Sequence, residues 1–496
     1  MLKTKAIKFI KFNILLQPVL MLLGLLSSIF VIRQLGTEIY ANVVLLGGIT
    51  STVGLLLSFG VLSTVTKLSV EYEDKNIRQA IVFITLFFQM VLILLFTIGL
   101  WIFPELFKNI LGDFSNNISL FGFAIIIIST ILSTVSSSLL IAELDNKITY
   151  LSSFFNALLN PIWLIYTSFS DFGLSSILYG LIIINLISSL ILFIGSLKYI
   201  GKLNLKNINV MNYDLLKKYF KFLGTISFVR IYVYLASLPF LSLVLNYFKL
   251  YDELAYLAVI LKIVTIIQNI YGIPINKVSG VMFSTAFKDK NYEMMNKLYN
   301  LILKYNAFLY SLAFAGLFYF LKDFIEFVYL IKMDVIVLNL FVINILLSAI
   351  LGVSNFITTL NEHYKIVFIT SITSIIVFQI ILWTYVSYYG LYAIALAMIL
   401  NTLIYSGVGM IYVAKKYKMI HIPFDFLRVL VVAMLVTLSC GYFVENYILS
   451  LIFNVILFLV VFYFLYKVKD DEKKLLKDFI PNKIYKFLPL KYRMNA

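Results

Sequence analysis

Two basic residues lie inside long apolar stretches of the sequence, where a charge is costly. Arg230 follows TISFV, and Lys262 is enclosed by LAVIL and IVTII. Each such charge costs about 2.5–3.5 kcal/mol in a membrane-spanning helix, so intramembrane charges usually serve a function. No Asp or Glu lies comparably deep in an apolar stretch of the sequence. The sequence thus predicts a cationic interior that suits an anionic ligand.

The residues after Lys262 extend its polar character along one helix face. Thr265, Gln268 and Asn269 follow at helical spacing, which predicts a polar stripe. Lys262 and Arg230 each lie about eight residues inside a predicted helix, or about 12 Å from its end. That depth is at or beyond the comfortable reach of a long basic side chain towards the headgroups. We therefore predict that both side chains face a central cavity.

The predicted substrate-binding residues form a short set. They are Arg230, Lys262, Arg33, Gln268 and Asn269. Arg33 stands at a membrane interface, where an ion pair with Glu38 would explain it equally well. Most other amides in the apolar stretches are expected to form hydrogen bonds between helices.

Motifs for other kinds of chemistry are missing from the sequence. One cysteine, Cys440, excludes an internal disulfide and a cysteine-based zinc cluster, and His363 and His421 lack metal-ligand spacing. Neither G-x-x-x-x-G-K-[ST] nor G-x-G-x-x-G occurs, so ATP and dinucleotide binding are not expected. The predicted external loops are short and carry no D-x-D pair, which disfavours a membrane glycosyltransferase or polymerase. We predict no enzyme activity, no cofactor and no bound metal.

The composition requires a membrane environment. Of the 496 residues, 62% are hydrophobic and 13% are charged, against roughly 45–50% and 25% in soluble domains. Too few charges remain to cover a soluble surface of this size. Apolar runs such as FAIIIISTILSTVSSSLLIA are unbroken, as in helices, and do not alternate as barrel strands do. The predicted fold class is an all-α polytopic membrane protein.

About fourteen membrane-spanning helices are predicted, each of about 20 mainly apolar residues. The predicted segments are 13–32, 39–62, 80–103, 117–141, 150–169, 174–197, 222–246, 254–276, 300–321, 335–357, 366–388, 390–412, 427–444 and 448–467. Pro18, Pro161 and Pro274 lie within these segments and are candidates for bends.

Lys and Arg predict the orientation of these helices, because both concentrate on the cytoplasmic side of membrane proteins. With a cytoplasmic N-terminus, 33 of the 40 basic residues fall in cytoplasmic segments and 5 in external ones. Both termini are therefore predicted to be cytoplasmic. Topology, with some contact to anionic headgroups, explains the formal net charge of +16 without nucleic-acid binding.

Two basic linkers divide the chain. The predicted organisation is a six-helix lobe at 1–200, a cytoplasmic linker at 201–221, a second six-helix lobe at 222–415, two additional helices at 416–467 and a basic cytoplasmic tail at 468–496. A weak internal repeat supports two lobes, at an offset of 215 residues. Glu38 corresponds to Glu253, and the DKN at 74–76 corresponds to the DKN at 289–291. Parallel repeats around a midplane cavity are typical of secondary transporters.

Several segments resemble the polysaccharide flippases. Residues 12–79, 251–290 and 338–405 are similar to that family's N-terminal region, its helix 8 and its helices 10 to 12. The residues that carry the resemblance are Arg33, Leu35-Gly36, Tyr40, Phe59-Gly60, Asn361 and Gly390-Leu391. The chain thus resembles the multidrug/oligosaccharidyl-lipid/polysaccharide exporter superfamily, and its O-antigen flippase (Wzx) branch above all. Tyr40-Ala41 departs from the family's usual Tyr-Gly at that point.

This resemblance implies transfer of a lipid-linked oligosaccharide from the inner to the outer leaflet of the cell membrane. The carrier would be a polyprenyl phosphate or diphosphate, and Lys and Arg are the usual partners of phosphate. The expected partners are the polyprenyl-phosphate-linked saccharide, membrane lipids and polysaccharide-assembly proteins.

Three other functions stay open at this stage. A multidrug exporter of the same superfamily would share the fold, but it would be expected to carry a buried carboxylate for ion coupling. A major-facilitator transporter would be expected to carry a Gly- and Arg-rich turn where KLSVEYEDKN stands. A non-transporting scaffold would leave two buried cations unexplained.

Overall fold

The computed structural model describes residues 2–58, 60–72, 74–102, 105, 118–142, 146–200, 213–268, 292–360, 364–417 and 424–467, with side chains from residue 19 onward. The described part is 92% helical and contains no strand. The prediction of an all-α membrane protein is therefore confirmed.

The described residues of the first half of the chain form ten helices. They are α1 Leu2–Leu35, α2 Thr37–Ser58, α3 Val61–Glu71, α4 Lys75–Ile102, α5 Leu120–Ala142, α6 Asn146–Ser168, α7 Leu174–Ile200, α8 Tyr213–Leu235, α9 Leu238–Tyr247 and α10 at 251–268. The helix α6 runs without interruption through Pro161. Pro274 lies outside the described residues.

The described residues of the second half are also helical. Its helices are α11 Tyr292–Tyr329, α12 Val335–Leu351, α13 Val353–Leu360, α14 Tyr364–Tyr389, α15 Leu391–Thr402, a π-helical turn Leu403–Gly407, α16 Val408–Tyr417, α17 Phe424–Gly441 and α18 Tyr447–Leu465. Asp334 and Asn446 are the N-cap residues of α12 and α18. Their side chains accept hydrogen bonds from backbone N–H groups of the first turn.

Eleven helices in the described residues are long and apolar enough to cross a membrane, and Val19–Leu35 and Leu238–Tyr247 are shorter apolar helices. Their exposed side chains are large and apolar, as expected for a surface in lipid; Phe87 and Trp101 are 70% and 83% exposed. The chain is a multi-pass membrane protein. The predicted count of fourteen spans stays a prediction.

The predicted spans at 39–62 and 222–246 are both interrupted, the first near its end and the second beyond its middle. The span predicted at 39–62 ends as α2 and resumes as α3, with Gly60 between them in a left-handed conformation (φ 83°). The span predicted at 222–246 consists of α8 and α9, with Pro239 in the first turn of α9. Proline clashes with the carbonyl four residues earlier, so α8 cannot continue through it.

The chain divides into two compact units. One comprises Met1–Ile263 with Trp383–Leu391, and the other comprises Val264–Leu382 with Tyr392–Ala496. The first unit has a core in which α3, α4, α5 and α8 meet around Tyr219 and Leu68, both fully buried. In the second unit, α17 and α18 pack on α11 around Phe458 and Ala433. The predicted lobe boundaries at 1–200 and 222–415 stay a prediction.

Candidate functional site

Lys262 lies deep in the membrane-spanning part of α10. It stands eleven residues after the start of this helix, which is about 17 Å along the axis. Since the apolar core of a bilayer is about 30 Å thick, this position is near its middle. The side chain is partly buried. Within the part of the chain that the structure describes, its ammonium group has neither a hydrogen bond nor an ion pair.

The side chain of Lys262 packs against α1. A Cβ atom placed on Gly24 would lie 3.7 Å from Lys262 Cε, so the bare backbone of this glycine faces the lysine. Gly24 stands eleven residues before the end of α1 and has the same depth as Lys262. Thr37, two residues after the end of α1, donates a hydrogen bond of 2.5 Å from its Oγ1 to Asp252 near the start of α10. The structure therefore holds a mid-membrane ammonium group between α1 and α10.

Arg230 faces α2 from the neighbouring span. Ser227 and Tyr234, three residues before and four after it, lie on the same face of α8. Tyr234 forms a hydrogen bond with the Thr52 hydroxyl. A Cβ on Gly60 would lie 2.9 Å from Ser227 Oγ. The partly buried Arg230 thus stands beside α2 at a level between these two contacts.

The two cations occupy successive depths in the membrane. The level of Arg230 is about 28 Å from the Thr37 end of α2, whereas Lys262 is about 17 Å from the same end of the bundle. Arg230 is therefore nearer the end at which α3 terminates, which is the predicted cytoplasmic end. An anion that enters from that end would reach the depth of Arg230 before the depth of Lys262.

The other predicted site residues that the structure describes lie on α1 and α10. Arg33 is exposed near the end of α1, and Gln268 is exposed at the last described residue of α10. Asn269 lies outside the described residues. The structure thus puts Lys262 and Gln268 on one helix, with Arg230 and Arg33 on two others.

The structure adds two small exposed residues that sequence reasoning missed. Gly47 and Ser51 of α2 are exposed at mid-membrane depth, and no atom lies within 4 Å of a Cβ placed on Gly47. Small and polar exposed groups differ from the large apolar groups that cover the lipid-facing surface. The internal repeat could have identified them, since Gly47 and Thr50 stand 215 residues before Lys262 and Thr265.

The same offset separates two residues that bond to each other, since Thr37 and Asp252 are 215 residues apart. Lys262 faces Gly24, and Pro239, which stands 215 residues after Gly24, faces α2 at Gly48, where a Cβ would lie 2.9 Å from the Pro239 carbonyl oxygen. Gly48 is one position after Gly47, the counterpart of Lys262, so the two glycine contacts match each other only to within one residue.

An acidic residue at the start of α10 anchors the N-terminal end of this helix. The Glu253 carboxylate accepts a hydrogen bond from the backbone N–H of Leu391, the first residue of α15. Gly390 adopts a left-handed conformation (φ 49°), and a Cβ there would lie 2.7 Å from Glu253 Oε1. A carboxylate at a helix N-terminus is favoured by the helix dipole.

Solved structures share this arrangement of helices. No protein-family model matches the chain, and no curated sequence does. The lipid II flippase MurJ in an inward closed conformation superimposes with a TM-score of 0.68 and 18% identity, over 94% of this chain and 98% of that one. An inward-facing multidrug resistance MATE transporter of the MOP superfamily does so with a TM-score of 0.63 and 14% identity, over 80% and 94%. The fold expected from the resemblance to that superfamily is confirmed.

Proposed function

We propose that this protein flips a polyprenyl-phosphate- or diphosphate-linked oligosaccharide from the inner to the outer leaflet of the cell membrane, with both termini in the cytoplasm. The product would serve the assembly of a cell-surface polysaccharide or glycan. The shared fold with MurJ, a lipid II flippase, supports a lipid-linked substrate.

A single observation carries this proposal: an ammonium group at mid-membrane depth without a partner among the described residues. Lys262 is costly there unless an anion compensates it for at least part of the cycle. A phosphate does so with charge-assisted hydrogen bonds, which are stronger than neutral ones. The polyprenyl tail can stay in lipid while the phosphate and saccharide pass Arg230 and Lys262.

The depths of the two cations suggest an order of events. The phosphate enters from the inner leaflet and meets Arg230, whose planar guanidinium can bind two phosphate oxygens at once. It then reaches Lys262, a compact point charge near the bilayer middle. The exposed polar groups of Gln268 and Ser51 are the proposed hydrogen-bond partners of the saccharide, together with Asn269, which lies outside the described residues. Arg33, near the outer end of α1, is the proposed last contact before release.

The test replaces each charge by an uncharged side chain of similar length. Lys262→Gln and Arg230→Gln should each cause lipid-linked oligosaccharide to accumulate in the inner leaflet, with the amount of protein in the membrane unchanged. Lys322→Gln is the matched control, because Lys322 is exposed. Normal export by the Lys262→Gln, Arg230→Gln double variant would refute the assignment of these two charges as the phosphate site.

The second candidate function is ion-coupled multidrug export, which the MATE transporter of similar fold supports. Cells that produce the protein would then gain resistance to cationic drugs, while the distribution of their lipid-linked saccharides would stay unchanged. Measuring both quantities in the same strains separates the two functions.

A further inference from the structure

An aromatic cluster in the second unit joins the last two helices to α11. Phe458, Phe462 and Tyr466 follow one another along α18, one helical turn apart, with successive ring centroids separated by 6.2 Å and 5.1 Å. The Phe308 ring of α11 lies 4.6 Å from that of Phe462, and the Phe426 ring of α17 lies 5.0 Å from that of Tyr466. All of these residues belong to the second compact unit. The junction of α11, α17 and α18 is therefore built from rings that reach the ends of α17 and α18.

Lys304 closes this cluster at the predicted cytoplasmic end. It stands one turn before Phe308 on α11. Its Nζ lies 5.8 Å from the centroid of the Phe426 ring and 5.9 Å from that of Tyr466, within the range of cation–π attraction. The ammonium group also donates a hydrogen bond of 3.4 Å to the Tyr466 hydroxyl. Phe426 is buried, whereas Lys304 and Tyr466 are partly exposed, so this pair forms an accessible edge of the cluster.

The level of Lys304 is that of the lipid headgroups. The helices α17 and α18 have 18 and 19 residues, or about 27 and 29 Å, close to the roughly 30 Å thickness of the apolar core of a bilayer. Phe426 is two residues after the start of α17, and Tyr466 directly follows the end of α18. The ammonium group beside their rings therefore lies at the membrane boundary. Exposed aromatic residues are typical of this level, and Phe424 and Phe464 are both exposed there.

Positive charge predominates at this end of the second unit. Six basic and two acidic residues occur in the described residues 292–304, 408–417, 424–428 and 462–467, which are the predicted cytoplasmic ends of α11, α16, α17 and α18. They are Lys297, Lys304, Lys415, Lys416, Arg428 and Lys467 against Glu293 and Asp425. Basic groups at the cytoplasmic ends of membrane helices attract anionic lipid headgroups, and basic sites between helices bind them. The surroundings of Lys304 thus suit an anionic lipid better than a neutral one.

We propose that Lys304 and Tyr466 bind the phosphate group of an anionic phospholipid, which stays at the junction of α11, α17 and α18. The rings of Phe426 and Tyr466 hold the ammonium group in place beforehand, so little side-chain entropy is lost on binding. The Tyr466 hydroxyl accepts a hydrogen bond from Lys304 and can donate its own proton to a phosphate oxygen. Lys467, the next residue, adds a second positive charge.

A phospholipid fits this position better than a free phosphate ion does. Its phosphate already lies at the level of Lys304 in a bilayer, which raises the effective concentration at the site. Its acyl chains can pack on exposed apolar side chains of the two helices, such as Leu435 and Ile456. This lipid is not the transported molecule, so the inference does not depend on the proposed transport function.

Native mass spectrometry of the purified full chain in detergent measures the binding directly. Phosphatidylglycerol is titrated, and the dissociation constant of the most tightly bound lipid is determined. Lys304→Gln should raise this constant at least about fivefold, because it removes a charge-assisted hydrogen bond. Lys304→Arg should leave it within about a factor of two, since a guanidinium also stacks on rings and binds phosphate. Tyr466→Phe keeps both rings and the charge, so it should raise the constant by a smaller factor, about two- to threefold.

Lys322→Gln is the matched control, because Lys322 is an exposed lysine near the other end of the same helix. It removes the same charge and should leave the dissociation constant unchanged. Phosphatidylcholine with the same acyl chains is the control for the headgroup, and it should bind the original protein and Lys304→Gln equally weakly. Excess inorganic phosphate should not displace phosphatidylglycerol.

The lipid site is refuted if the original protein and Lys304→Gln have equal dissociation constants for phosphatidylglycerol. An equal rise in Lys304→Gln and Lys322→Gln would also overturn it, because total charge and not position would then decide the binding. Displacement by inorganic phosphate would show an ion site in place of a lipid site. If Lys304→Gln is not monodisperse in gel filtration, Tyr466→Phe takes its place, and an unchanged constant for that variant is equally decisive.

Discussion

Replacing Gly60 with alanine tests the break between α2 and α3. Gly60 has φ 83° and ψ −2°, a left-handed conformation that costs a residue with a Cβ roughly 1–2 kcal/mol. The new methyl group would also lie 3.0 Å from the Leu223 carbonyl oxygen and 2.9 Å from Ser227 Oγ. The serine hydroxyl can rotate away, but the carbonyl belongs to the backbone of α8 and cannot.

The two effects act together on the folded state. Overpacking of a tight contact costs about 1–3 kcal/mol. With the backbone strain, we expect Gly60→Ala to lower the free energy of unfolding by about 2–5 kcal/mol. Since the entropy of unfolding grows with chain length, each kcal/mol shifts the melting temperature of a 496-residue chain by about 1 °C, so the expected decrease is about 2–5 °C.

The measurement is the loss of monodisperse protein on heating in detergent. Gly47→Ala is the control, since Gly47 is helical and its Cβ would meet open space. Alanine in a helix interior is favoured over glycine by about 0.5–1 kcal/mol, so this control should melt at the original temperature or slightly above it. Equal melting temperatures for Gly60→Ala and Gly47→Ala would refute the argument that Gly60 is required by conformation and packing.

Four further predictions follow from the site and the topology. Gly24→Leu should displace Lys262 and reproduce the export defect of Lys262→Gln, whereas Gly24→Ala, with its methyl at 3.7 Å from Lys262 Cε, should export normally; equal export by both Gly24 variants would contradict the packing described. Gly390→Ala should lower thermal stability by pushing on the Glu253 carboxylate, and Gly99→Ala, which meets no neighbour, should not. A reporter fused to the C-terminus should be active only in the cytoplasm, and activity outside the cell would reverse the topology. Purified protein should neither hydrolyse ATP nor transfer sugars between lipid carriers, and turnover in either assay would show an enzyme.

The membrane-spanning helices could be predicted from the sequence, because a run of about 20 mainly apolar residues is enough to indicate each one. Each predicted span overlaps a helix in the described residues. The positions at which these helices are interrupted could not be predicted from apolar composition. Pro161, a candidate for a bend, stays inside a continuous α6, while the second span breaks at Gly60. A break depends on whether neighbouring backbone fills the gap, and hydropathy carries no such information.

The candidate site was predictable in its chemistry but not in its geometry. The free-energy cost of placing a charged side chain in a membrane marks Lys262 and Arg230 as unusual, even when their neighbours are unknown. That Lys262 packs on Gly24 depends on two helices that are far apart in the sequence. Gly47 was not predicted for a different reason. Glycine is common in membrane helices, so Gly47 stands out only when it is compared with Lys262, its counterpart in the repeat.

The correspondence of Lys262 with Gly47 at the 215-residue offset bears on stoichiometry. A two-fold interior that descends from a duplicated half would hold two equivalent charges, and two anions could then travel together. Here the position that corresponds to Lys262 is Gly47, which has no side chain to offer. One half of the repeat carries the Lys262 ammonium group, and the other has open space at Gly47. Under the proposed function, each cycle therefore carries one lipid-linked molecule, and doubling the occupancy would require a lysine at position 47.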